Sequence, residues 1–335
     1  MKSDADWMRL ALAEARKGIG KTSPNPAVGA VIVRKGELIA RGWHRRAGSP
    51  HAEIAAIRAL ESPELARGAT LYVSLEPCST HGRTPPCVDA IIHHRFARVV
   101  VGAVDPNPAH AGRGIGILQG AGIEVVAGVL DVECTALNEA FNKWIVTRQP
   151  FVIAKCGMSL DGRISRPPGE SQWLTSPESR RDAHRLRARA DAILVGAETV
   201  RRDNPKLTVR GVRSTKQPWR VALSRSGDLP RDAHIFTDEW KDRTLVFNSL
   251  DEALTELGCR EVLSVLIEGG GEVLGTAFDQ RKVDRVEFFY APILTGGNKP
   301  AVAGLGVGDN AEGIRLMNPT FRKSGPDIHL SARVT

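Results

Sequence analysis

Three short segments carry residue types that can do chemistry together: His51-Ala52-Glu53, Pro77-Cys78 and Cys87. One imidazole and two thiolates supply three zinc ligands, and a catalytic zinc keeps its fourth position open for water. Such a metal lowers the pKa of water and makes hydroxide available near neutral pH. Glu53 stands two residues after His51, at the start of a segment of helical composition. From there a carboxylate can take a proton from water and pass it to leaving ammonia. Zinc nucleobase deaminases divide the labour in this way, with the glutamate as general acid/base and not as ligand. Any one of these residues alone reads as a small core residue or a helix cap. Together, in this order, they read as a catalytic zinc site. A structural zinc would need a fourth protein ligand, and His81, between the cysteines, is the residue that could supply it.

Eight residues, rich in Gly and Pro, separate Cys78 from Cys87. That is longer than the CxxC of the zinc nucleobase deaminases, and it brings Arg83, a residue able to bind phosphate, close to the metal. In the second half the clearest motif is Gly269-Gly270-Gly271-Glu272-Val273-Leu274-Gly275, which follows an apolar strand ending at Glu268 and opens a helix. Backbone N–H groups at such a helix start attract phosphate. No GxGxxG stands between a strand and a helix with an acidic residue after it. The glycines of 112–116 read as a loop.

These residues need a layered α/β frame. Trp7, Met8, Ala11, Leu12 and Ala15 recur with helical period. Strands are expected over 27–33, 38–42, 69–75, 98–104 and 123–126, with a hairpin turn at 34–37. Helices are expected over 52–60, 87–94 and 116–120, and a single helix over 132–147 closes the unit. Gln149-Pro150 breaks that helix, because the residue before proline disfavours helical torsions. The expected domains are therefore 1–148 and 149–335. The second repeats the rhythm, with strands at 151–155, 192–196, 262–268 and 286–291, an arginine-rich helix over 178–190, and a Gly/Pro loop over 161–171. Strands alternating with helices imply α/β layers.

The 335 residues are 42% hydrophobic and 25% charged, a composition that points to a globular chain. No stretch approaches the roughly 20 apolar residues that span a bilayer, so no membrane partner is expected. Five cysteines cannot all pair, and a chain this long does not need disulfides; a cytoplasmic location is expected. The net charge of +8 favours anionic ligands. It is spread evenly, 18 basic against 14 acidic residues in 1–150 and 28 against 24 beyond, so charge alone gives little reason to expect nucleic acid.

With these residues in view, the chain resembles the bifunctional deaminase–reductase family of riboflavin biosynthesis. The matching stretches are SPNPAVGAVIV at 23–33, GWHRRAGSPHAE at 42–53, LEPCSTHGRTPPC at 75–87, DPNPAHAGRGI at 105–115, KCGMSLDGRI at 155–164, GESQWLTSPESRRDAHRLRA at 169–188 and IEGGGEVLG at 267–275. The resemblance covers nearly the whole chain. It implies a cytidine-deaminase-like α/β/α layered domain followed by a dihydrofolate-reductase-like α/β domain. It implies removal of the C2 amino group of a diaminopyrimidinone carrying a phosphoribosylamino group, then reduction of the opened ribose at C1′ by NADPH.

Carried over by position, His51, Cys78 and Cys87 hold Zn2+ and Glu53 moves protons. Asn25, His44, Arg83 and Asn107 contact the pyrimidine or its ribose phosphate; Arg83 stands where the family commonly has lysine. Asn25 and Asn107 also fit plain Asn-Pro turn chemistry. Gly157, Trp173, Thr199, Asp203 and the run Gly270, Gly271, Glu272, Val273, Leu274, Gly275 and Thr276 match NADPH positions. Lys155, Ser171, Arg187, Leu207, Arg210 and Glu268 match reductase substrate positions. Arg187 and Arg210 suit the phosphate, and Lys155 and Glu268 suit polarising or protonating near C1′. Trp173 reads equally as core packing. Arg187 reads equally as part of a solvated charged face, among Arg180, Arg181, Arg185 and Arg189. The expected partner is a small phosphorylated pyrimidine and not nucleic acid, and the expected assembly is a homo-oligomer, dimer or tetramer. The rival reading is a zinc deaminase acting on tRNA or single-stranded DNA with an accessory domain; it leaves the cysteine gap and the second half unexplained.

Overall fold

The computed structural model describes residues 2–80, 85–164 and 173–335. The chain divides into two compact units, Met1–Arg148 and Gln149–Thr335.

The first unit runs α1 (Asp4–Arg16), β1 (Gly29–Arg34), β2 (Glu37–Trp43), α2 (Ala52–Arg58), β3 (Thr70–Leu75), α3 (Cys87–His93), β4 (Arg98–Ala103), α4 (Arg113–Gly120), β5 (Glu124–Ala127), α5 (Asp131–Leu137) and α6 (Glu139–Thr147). Ser3 opens α1 with a capping box, its side chain and that of Asp6 each satisfying the other's backbone N–H. Lys35 and Gly36, both at positive φ, make the tight turn between β1 and β2. The sheet order is β2-β1-β3-β4-β5. β1 is antiparallel to β2 and β3, whereas β3, β4 and β5 are parallel.

Alternation along β1 sends Ala30 and Ile32 to one face and Val31 and Val33 to the other. The first face packs against α2, α3 and α4 through Ala52, Ala56, Val88, Ile91 and Leu118. The second packs against α1 and α5 through Trp7, Met8, Ala11, Leu12 and Cys134. This is the expected three-layer arrangement, with Cys78 just past the carboxyl end of β3 and His51 and Cys87 at the starts of α2 and α3.

Two expectations need correction. The helix expected over 132–147 is two helices, broken at Asn138. The Asn138 amide accepts from Ala27 N (2.8 Å) and donates to Ala27 O (3.0 Å), a tertiary pairing that outweighs local helix continuity. The glycines of 112–116 form the first turn of α4 and not a loop. A Cβ on Gly114 would stand 2.3 Å from the Pro77 carbonyl oxygen, so only glycine lets α4 approach the segment that carries Cys78.

The second unit runs β6 (Phe151–Ser159), α7 (Pro177–Arg189), β7 (Ala192–Gly196), α8 (Ala197–Asp203), β8 (Trp219–Leu223), α9 (His234–Thr237), β9 (Thr244–Phe247), α10 (Leu250–Cys259), β10 (Ser264–Ile267), α11 (Gly271–Asp279), β11 (Arg285–Ala291), β12 (Leu316–Ser324) and β13 (Asp327–Val334). Its sheet has the order β12-β13-β11-β6-β10-β7-β8-β9. The six strands from β11 to β9 are parallel; β13 is antiparallel to β11, and β12 to β13. Their apolar runs fit strands covered on both faces. One face packs on α10 and α11, the other in part on α8 and α9. Among the described residues no helix is long and apolar enough to cross a membrane.

Candidate active sites and family

In the first unit, β3 ends at Leu75 and hands the chain to Pro77-Cys78. His51 caps α2 and Cys87 opens α3. The three ligand atoms lie within 4.8 Å of one another, with His51 Nδ1 3.5 Å from Cys78 Sγ and 3.3 Å from Cys87 Sγ. Tetrahedral zinc, with its bonds near 2.0 Å to nitrogen and 2.3 Å to sulfur, needs about 3.6 Å between such atoms, so the donor set fits the ion. Its electrostatics fit as well. Cys87 and His51 hydrogen-bond the Cys78 thiol and hold it far below the usual thiol range. The same closeness, with burial, pushes Cys87 up; two thiols this near cannot both ionise without a cation. Glu53 is buried. Burial and the Cys78 charge push its carboxyl up to about 7, against the pull of His51, so it can both take and give a proton near neutrality.

His44 stands beside the metal ligands, its ring centroid 5.3 Å from that of His51. Its Nδ1 lies 3.1 Å from Pro50 O and its Nε2 3.0 Å from Asn25 Nδ2. A carbonyl needs a donor and an amide NH2 needs an acceptor, so the proton sits on Nδ1. Burial lowers the His44 pKa, which keeps that tautomer neutral. Asn107 Oδ1 accepts from Ala109 N (3.1 Å), the turn chemistry anticipated for it, and its Nδ2 remains as a donor. Arg83 and His81 lie outside the described residues.

Sequence reasoning missed Glu76. This buried carboxylate accepts from four backbone N–H groups: Asp105 (3.1 Å) and Gly112 (2.9 Å) on Oε2, and Gly114 (2.9 Å) and Ile115 (3.3 Å) on Oε1. It ties both ends of the 105–115 segment, on which Asn107 sits, to the residue just before Pro77-Cys78.

In the second unit a cleft of about 1960 Å³ runs along the carboxyl ends of β6, β10, β7, β8 and β9, where open α/β sheets bind ligands. Gly157, Trp173, Thr199, Asp203, Gly270, Gly271, Glu272, Val273 and Thr276 line it, as do Lys155, Arg187, Arg210 and Glu268. Trp173 is 52% exposed, so it forms cleft wall and not core. A Cβ on Gly271 would stand 2.2 Å from Pro300 O, so glycine is what lets the start of α11 sit against the cleft wall. Leu274 is fully buried in the core and Gly275 packs on Ala303. Leu207 is buried beside Ile193 and Val195 at φ +49°. None of the three lines the cleft: the Leu274 and Leu207 side chains pack into the core, Gly275 has no side chain, and a ligand could meet these residues only through their backbone. Ser171 lies outside the described residues.

Arg187 does not belong to a solvated face. Its Nε and Nη2 donate to the two Glu268 oxygens (2.6 and 3.0 Å) and its Nη1 to Thr208 O (3.0 Å). Lys155 Nζ lies 3.7 Å from Glu268 Oε2. Burial pushes Glu268 up, but Arg187 and Lys155 overcome it and hold the carboxyl at about 2. With Arg187 on both of its oxygens and Lys155 beside it, Glu268 favours the anionic form, suited to aligning Lys155.

Residues 1–103 match the model of the cytidine and deoxycytidylate deaminase zinc-binding region, and residues 150–330 that of the RibD C-terminal domain. The chain is 43% identical to the riboflavin biosynthesis protein RibD of Synechocystis over 98% of this chain and 95% of that one. It is 38% identical to RibD of Escherichia coli, with 98% of each covered. The chain belongs to the RibD family. A solved Acinetobacter baumannii RibD superposes with a TM-score of 0.91 at 36% identity, covering 99% of both chains. A Thermotoga maritima structure, described as a diaminohydroxyphosphoribosylaminopyrimidine deaminase/5-amino-6-(5-phosphoribosylamino)uracil reductase, does so with 0.89 at 35%, again over 99% of both.

As a RibD-family protein the chain is a bifunctional enzyme of riboflavin biosynthesis with zinc and NADPH as its cofactors. Deamination and reduction account for both halves, so the nucleic-acid deaminase with an accessory domain is not favoured. Among the residues this RibD-family cleft adds to the sequence reading are Ser224–Ser226 after β8, Asn248 and Ser249 after β9, and His184 on α7. The first two groups sit in a stretch without motifs. His184 carried a usable signal: Arg180, His184 and Arg187 fall at i, i+4 and i+7, one face of a helix.

Proposed function

We propose that residues 1–148 deaminate a diaminopyrimidinone bearing a phosphoribosylamino group and that residues 149–335 reduce the ribosyl group of the product to ribityl. Water adds at C2 and ammonia leaves; then a hydride and a proton are added at the C1′ end of the ribose. The substrate is a small phosphorylated pyrimidine and not nucleic acid. The single observation that carries the first step is the meeting of His51, Cys78 and Cys87 beside the buried Glu53.

Zinc, held by those three ligands, supplies the Lewis acidity that activates water. Glu53 takes the proton of the attacking water and delivers it to the departing amine, which a carboxyl near neutral pKa does in both directions. Neutral His44 holds Asn25, so the Asn25 amide oxygen faces the pyrimidine with a fixed orientation. The rigid 105–115 segment presents Asn107 Nδ2 in the same way.

NADPH supplies the hydride, and orienting it is the protein's task. The start of α11 at Gly270 and Gly271 takes phosphate, and Gly157 and Trp173 border the cleft. Lys155, aligned by Glu268, polarises the oxygen at C1′. Arg210, with the two N–H groups that Arg187 keeps free, faces the substrate phosphate. Five cysteines, an odd number in a chain too long to need disulfides, fit a reducing, cytoplasmic compartment, and the assembly is a homo-oligomer.

Paired variants test this division. Glu53→Ala should lose ammonia release and keep NADPH oxidation when the deaminated intermediate is supplied. Lys155→Ala should do the reverse. Loss of both activities in either variant would contradict two independent sites.

A further inference from the structure

His184 has no part in the mechanism above, yet it lines the reductase cleft between Arg187 and Arg210. The Arg210 backbone N–H donates to its Nδ1 (3.1 Å). An N–H needs a lone pair, so in the neutral ring the proton sits on Nε2. No hydrogen-bond partner of Nε2 is found among the described residues. Among the described residues, the charged groups that act on the ring are Arg187, Arg210, Lys155 and Glu268. Three cations face one carboxylate, and both oxygens of that carboxylate are engaged. Such a corner takes an anion that accepts hydrogen bonds and donates none.

Resting on the reading of this cleft as the reductase site, we propose that His184 contacts the substrate: its Nε2–H donates to an oxygen of the 5-phosphate alongside the Arg210 guanidinium. A fixed backbone donor on Nδ1 aims the ring, so the donor points one way and adds direction where the arginines add charge. Burial, with the Arg187 and Arg210 charges, lowers the His184 pKa to about 4, so the donor stays neutral while the phosphate itself titrates near pH ~6.

The test uses the full chain and two readouts. In histidine 15N NMR, His184 should show the Nε2–H tautomer. Its Nε2 should shift when ribose 5-phosphate is added, with saturating NADP+ present. A shift with NADP+ alone and none with ribose 5-phosphate would assign the contact to the cofactor and overturn the proposal. In turnover, His184→Ala should raise KM for the phosphorylated substrate by about tenfold or more, the scale of a hydrogen bond to a charged group, with kcat little changed. The dephosphorylated substrate should be unaffected, and His184→Gln, which keeps a donor, should recover most of the loss. Equal losses on both substrates would mean a structural role only. If the wild-type chain reduced nothing, the proposed function would fail, while the ribose 5-phosphate titration would still decide the case of His184.

Discussion

Glu76→Gln keeps the size of the side chain and exchanges one carboxylate oxygen for an NH2 group. In the native fold each oxygen accepts two backbone N–H bonds, within a buried residue. After the exchange, two N–H groups at one end of the amide face donors and not an acceptor. A buried group left unsatisfied costs about 1–3 kcal/mol, and movement of the 105–115 segment relieves part of that. The expected net loss is on the order of 2–4 kcal/mol, which lowers the melting midpoint of a unit this size by roughly 5–15 °C. Hydrogen exchange localises the effect: amides 105 and 112–115 should exchange faster, with residues 149–335 unchanged. Ammonia release should fall, because Asn107 rides on the same segment, and NADPH oxidation on supplied intermediate should not. An unchanged midpoint with unchanged exchange at 112–115 would refute the claim that a carboxylate organises this edge of the site.

Other consequences can be read in separate assays. Cys78→Ser should cost the chain its equivalent of tightly bound zinc, measured by elemental analysis, and abolish ammonia release while leaving the reductase intact. Glu268 is held at about 2 against an ordinary 4.5. Its ion pairs therefore stabilise the fold fully above pH ~4.5, and that contribution is lost as pH falls toward 2. Denaturation of the wild type should weaken through that window, and Glu268→Gln should lack that component. Gly271→Ala, whose Cβ would meet Pro300 O at 2.2 Å, should weaken NADP+ binding at least tenfold in direct titration, with zinc content unchanged.

The zinc ligands were legible because metal binding restricts both residue type and order along the chain. The layered α/β character was legible because apolar periods of 2 and 3.6 are local. What escaped depends on contacts between distant residues. Glu76 lies in the same LEPC stretch as Cys78, but its partners stand 29 to 39 residues further on. Asn138 looks like any mid-helix asparagine until Ala27, 111 residues away, pairs with its amide. Arg187 is one of five arginines on a helix, and only its meeting with Glu268, 81 residues on, separates it from its exposed neighbours. Leu207 and Leu274 match ligand positions of the family, yet their side chains point into the core, an orientation that sequence position does not encode. The hairpin of β12 and β13 had no clear sequence signal, because β12 is exposed along almost its whole length and shows no apolar alternation.

The central claim is one chain with two chemistries in a fixed order. Its most direct test is to incubate the purified wild-type protein with the diaminopyrimidinone ribosyl phosphate, with and without NADPH, and to follow ammonia release and NADPH oxidation separately. The account predicts ammonia in both samples, and NADPH consumed in equal amount only after ammonia appears. NADPH oxidation without prior ammonia release, or ammonia with no NADPH consumed, would contradict it.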